Sequence, residues 1–100
     1  MHASVIRNQD SAQIVLQGRF DFNSHQEFRK AADTAMEEAV RVLVVDLGGV
    51  DYLDSSALGM LLMLRDKAKA ADKSVTLANC RGVVKQVLDI AAFGKLFNMT

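Results

Sequence analysis

The residues of this 100-residue chain best placed to do chemistry are Asp54-Ser55-Ser56, two hydroxyls directly behind a carboxylate. They follow the apolar run Val42-Leu43-Val44-Val45 and the stretch Gly48-Gly49-Val50-Asp51-Tyr52-Leu53, and they precede a second apolar run, Ala57 to Leu64. Asp and Ser are favoured helix caps, so either Asp54 or Ser55 can begin a helix here. The first turn of a helix has unpaired backbone amides and carries the positive end of the helix dipole. A phosphate attached to a hydroxyl at that turn is locally accommodated. It adds about −1.5 to −2 charges without melting the helix, and so changes the surface more than the fold. Capping alone is the plainer reading of the same residues.

Catalysis has less to build on. A serine nucleophile needs a base and an oxyanion hole, but the chain offers only His2 and His25, and Ser55 lies in no Gly-x-Ser-x-Gly elbow. No enzyme activity and no catalytic residue are expected. The histidines lack the ligand spacing of a metal site, and no Gly-x-x-x-x-Gly-Lys-Ser/Thr segment is present, so neither a metal nor another cofactor is expected. The single cysteine, Cys80, cannot form an internal disulfide and has no histidine or basic cluster beside it; it reads as a buried small hydrophobe in a reducing compartment.

Twelve basic residues balance twelve acidic ones, leaving no net field to attract a phosphate backbone or anionic lipid. Direct binding of nucleic acid or membrane is therefore not expected. Ala57 to Leu64 is too short to span a bilayer, and Met1-His2-Ala3-Ser4 lacks the regions of a signal peptide, which points to the cytoplasm. The length suits a single domain over residues 1–100.

The elements that must position Ser55 follow from periodicity. Ala3 to Asn8 and Ala12 to Gly18, separated by Gln9-Asp10-Ser11, predict an antiparallel hairpin. Ser24-His25-Gln26-Glu27 has the form of a capping box and predicts a helix start, with Phe28, Ala32, Ala35, Met36 and Ala39 as its apolar stripe. Val42 to Val45 reads as a central strand covered on both faces, with Gly48 to Leu53 as a loop and a second helix to about Ala71. Val75 and Leu77 mark a further strand, and Val84, Val87, Leu88 and Ala91 a third helix, with Gly94 as a left-handed residue past its end. Lys95 to Asn98 can add a final strand or a docked tail. The fold class is α/β, a mixed and mostly parallel β-sheet of four to five strands with helices packed on it.

In this setting, Asp54-Ser55-Ser56-Ala57-Leu58-Gly59 resembles the signature of the STAS domain, and in particular that of bacterial anti-sigma factor antagonists: Asp-Ser-Ser/Thr-Gly/Ala-Leu-Gly after a strand and opening a helix. Gly18-Arg19-Phe20-Asp21 resembles the family's Gly-x-Leu-Asp, and Leu77-Ala78-Asn79-Cys80 with Val84, Leu88 and Phe93 resembles its C-terminal third. Phe20 in place of Leu and Ala57 in place of Gly are mild departures. The resemblance implies a phosphorylation-controlled protein-binding switch. A partner kinase modifies the serine after the aspartate, here Ser55 with Ser56 as the alternative, and a serine phosphatase reverses it. The unphosphorylated form binds an anti-sigma factor or related regulator, which can be the serine kinase itself, and phosphorylation releases it. The alternative function is a phosphorylation-insensitive scaffold of the same fold.

Partner contacts are expected at Asp21, Asp54, Ser55, Ser56, Met60, Leu62 and Met63. At about 100° per residue, Ala57, Leu61, Leu64 and Ala68 share one helix face, while Leu62 and Met63 point away from it on opposite sides. Either neighbours bury this helix on several sides, or an exposed Met-rich patch lies beside Ser55. Gly59, inside the helix, suggests close backbone approach.

Overall fold

The computed structural model describes every residue from Met1 to Thr100. Alternating side chains and a short polar turn produce the opening hairpin, β1 (His2–Arg7) antiparallel to β2 (Ser11–Phe20), closed by Asn8 N–H donating to the Ser11 carbonyl at 2.8 Å. A 3-10 turn, Phe22–Ser24, leads into α1 (His25–Met36), which buries Phe28, Ala31, Ala32 and Ala35. The chain continues through β3 (Val42–Leu53), α2 (Ser55–Ala70), β4 (Ser74–Ala78), α3 (Gly82–Ile90) and the short β5 (Asn98–Met99).

The strands lie in sequence order, β1-β2-β3-β4-β5, with every pair after the first parallel. Parallel neighbours need a crossover, and α1, α2 and α3 supply the three crossovers between β2 and β5. Register puts Ile14 beside Val45 and Val45 beside Leu77, and these side chains are fully buried with Leu16, Leu43 and Leu47 on the same sheet face. α1 packs on β1 and β2, and α2 on β3 and β4, with Phe20, Leu61, Leu64 and Leu88 completing one continuous core.

Several local expectations are corrected. β3 is central, but Val42 and Val44, on its second face, are only half-buried, so the strand is not covered on both sides. Gly48 to Leu53 is no loop; β3 runs through it, with the β2–β3 register shifting between Val15 and Gln17. A Cβ on Gly49 would stand 2.9 Å from Gln17 Cγ and 3.0 Å from the Leu16 carbonyl, so this glycine serves close strand approach at the bulge. α1 ends at Met36, leaving Ala39 outside it and exposed. The left-handed residue past α3 is Ala92, at φ 59°, rather than Gly94. Cys80 is half-buried instead of enclosed.

Candidate functional site

Ser55 opens α2, and the helix begins there because Asp54 caps it: Asp54 Oδ1 accepts from Ala57 N–H at 3.0 Å. Asp54 N–H donates to the Phe20 carbonyl at 3.3 Å, which ties the end of β3 to the end of β2 and brings the two signature segments together. Ser55 is exposed and Ser56 half-buried.

The neighbouring segment is built by Asp21 and Ser24. Asp21 Oδ1 accepts from Asn23 N–H at 3.0 Å, while Ser24 Oγ accepts from Asp21 N–H at 3.1 Å and donates to the Arg19 carbonyl at 3.0 Å. This reciprocal box starts the 3-10 turn, and Ser24 is buried in it. The capping box expected from Ser24 to Glu27 is therefore corrected: Ser24 makes no side-chain cap to α1 because its hydroxyl is committed backwards. Arg19 lies 3.0 Å from Asp21 Oδ2 and stacks its guanidinium 3.8 Å above the Tyr52 ring, fixing the carboxylate's outer edge. Asp54 Oδ2 accepts from Phe22 N–H at 3.3 Å. Asp21, Asp54, Ser55 and Ser56 thus gather at one end of the sheet.

The helix candidates divide. Ala57, Leu61, Leu64 and Ala68 form the buried stripe as their angles predict. Met60 joins it at 5% exposure, so its assignment as a contact residue is corrected: its angle places it beside Leu61 and Leu64, above the core. Leu62 is half-buried, and Met63 is 48% exposed. Close approach at Gly59 is also corrected, since a Cβ there would meet nothing within 4 Å. Met63 and Met60 line a cavity of about 30 Å³ between α1 and α2, together with His25, Phe28 and Arg29. A larger concavity, about 610 Å³, opens beside Asp46, Gly48, Asn79 and Arg81 and includes none of the sequence-predicted site residues.

Sequence reasoning did not single out Phe22, which is 73% exposed and whose backbone N–H donates to Asp54. The available signal was an aromatic residue isolated among turn-forming polar neighbours, Asp21, Asn23 and Ser24.

The family model described as "Mlab, STAS domain" matches residues 4–98. A STAS-domain containing protein of Pseudomonas aeruginosa is 48% identical over 87 residues, covering 87% of this chain and 85% of the relative. Among solved structures, the anti-sigma factor antagonist SpoIIAA in its unphosphorylated form is similar over 98% of this chain and 86% of its own, with a TM-score of 0.74 and 20% identity. The Bacillus cell fate determinant SpoIIAA in the phosphorylated form gives 0.73 at 19% identity, over 98% and 90% of the two chains. The fold is therefore common to both of those forms.

Proposed function

Because the chain belongs to the STAS domain family, we propose that it is an anti-sigma factor antagonist whose grip on a regulator is controlled by phosphorylation of Ser55. The observation that carries the reading is the exposed Ser55 on the first turn of the 16-residue α2, directly behind a capping carboxylate. Exposure also supports Ser55 over the half-buried Ser56 as the hydroxyl a kinase reaches.

The unphosphorylated chain binds an anti-sigma factor or a related serine kinase in the cytoplasm. A partner kinase transfers the γ-phosphoryl group of ATP to Ser55 Oγ: a P–O ester bond forms, the β–γ bond breaks, ADP leaves, and the hydroxyl proton passes to a base on the kinase. A serine phosphatase hydrolyses the ester with water. The phosphate adds about −1.5 to −2 charges next to Asp54 and near Asp21, at a surface the partner must desolvate. Burying charge without a counter-ion is costly, so the modified form lets go. The chain's role is regulatory, and no residue is assigned to catalysis. No helix is long and apolar enough to cross a membrane.

Phosphopeptide mapping of the protein purified from its native cells tests the assignment. A single phosphate on Ser55 is expected. Modification of Ser56 alone would overturn the residue, and an unmodified chain in the presence of an active cognate kinase would favour a phosphorylation-insensitive scaffold.

A further inference from the structure

Phe22 is 73% exposed, yet its backbone is firmly held. Asp21 and Ser24 close the turn around it through the reciprocal hydrogen bonds at 3.0 and 3.1 Å, and Ser24 is anchored in turn to the Arg19 carbonyl. A rigid turn that presents an aromatic ring to water gains little in folding from that ring. It does lower the ordering cost of gripping the ring from outside, which is how interface anchors are built. The turn is tied to the modification site by one carboxylate. Asp54 Oδ1 caps α2 at Ala57 N–H, 3.0 Å away, and Asp54 Oδ2 holds Phe22 N–H at 3.3 Å.

We propose that the Phe22 turn is a second half of the partner-binding surface, and that Asp54 is the positioning residue through which the state of Ser55 reaches it. The proposal rests on the reading of Ser55 as the phosphorylated residue. A phosphate on Ser55 repels the adjacent Asp54 carboxylate and offers three acceptor oxygens to the amides of the first turn, where Asp54 Oδ1 now accepts from Ala57 N–H. Displacing the carboxylate breaks its second bond, to Phe22 N–H, and loosens the backbone that presents the ring. The partner that fits is a protein with an apolar pocket of aromatic size next to its contact with the start of α2. Phosphorylation then acts twice, by adding charge at Ser55 and by unseating the anchor.

The test uses the full chain with phosphoserine installed at position 55 during translation, so that no kinase is needed, and the variant Asp54→Asn. An Asn side chain keeps one oxygen to cap Ala57 but replaces the second acceptor with an NH2 group. Amide hydrogen exchange followed by NMR should show Phe22 N–H exchanging about tenfold faster in both forms, the factor expected for losing one charge-assisted hydrogen bond, with Leu43 and Val45 unchanged. Unchanged exchange at Phe22 in the phosphoserine form would overturn the coupling while leaving the phosphorylation reading intact. A second arm uses the protein retained by Ser55→Ala in excess over the phosphoserine form. Phe22→Ala should weaken its binding about tenfold or more without altering the melting temperature, and wild-type affinity would overturn the anchor role.

Discussion

Asp54 acts in two places at this site, since one of its oxygens caps α2 and the other accepts from the neighbouring turn. Asp54→Ala should therefore lower stability by about 0.5 to 2 kcal/mol, measured as a shift in urea midpoint at constant slope. Ser55→Ala, at an exposed position with the Asp54 cap intact, should stay within about 0.5 kcal/mol of wild type in the same titration. Cys80 behaves differently. Burial first, and then the Asp89 carboxylate, raise its thiol above the ordinary range against the lowering effect of Lys85. The thiol therefore stays protonated at neutral pH. Because the folded form binds that proton more tightly, the associated stability is full below the unfolded thiol's pKa and is lost as pH rises through the folded one. Iodoacetamide should alkylate Cys80 more slowly in the native chain than in urea at pH 8, and equal rates would contradict the burial argument. At this scale Asp54-Ser55 was legible because a helix cap is a local signal. The Asp21–Ser24 box was not, because Ser24 can serve the helix ahead or the turn behind, and only the position of the Arg19 carbonyl decides between them.

α2 shows how far angular counting reaches at the scale of an element. It assigns the buried stripe of Ala57, Leu61, Leu64 and Ala68, but the stripe is wide enough to take in Met60 as well. Met60→Gln should cost about 2 to 4 kcal/mol in thermal or urea unfolding, because it places an amide in the core. Met63→Gln should stay within about 0.5 kcal/mol and reduce partner affinity instead. A sharp loss of stability in Met63→Gln with unchanged partner affinity would restore the buried-helix alternative. Gly59 is exposed with free space around it, so Gly59→Ala should stabilise the chain by about 0.5 to 1 kcal/mol, read as a higher urea midpoint. β3 was legible in its apolar half and hidden in its second half. Gly48-Gly49 has the composition of a turn, and its role in strand approach depends on Gln17 and Leu16 from another part of the chain.

For the molecule as a whole, the order of strands and helices was readable because each crossover helix announces a parallel neighbour, and right-handed crossovers leave few arrangements. The coverage of the sheet was not. A β-branched run such as Val42 to Val45 fits a strand buried on both sides or on one, and only the packing of every helix together distinguishes them. The finished architecture makes the proposed switch local. Ser55 lies at one end of a sheet whose core does not include it, and the fold is similar to that of SpoIIAA in both its forms. Phosphorylation should therefore leave the far-ultraviolet circular dichroism of the chain unchanged while altering what it binds. The most direct test of that claim is titration calorimetry with the purified partner against wild type, Ser55→Ala, Ser55→Asp and the Ser55-phosphorylated chain. Wild type and Ser55→Ala should bind tightest, Ser55→Asp less tightly because a carboxylate has less charge and fewer acceptor oxygens than a phosphate, and the phosphorylated chain most weakly. Tighter binding by the phosphorylated chain, or equal binding by all four, would contradict a switch at Ser55.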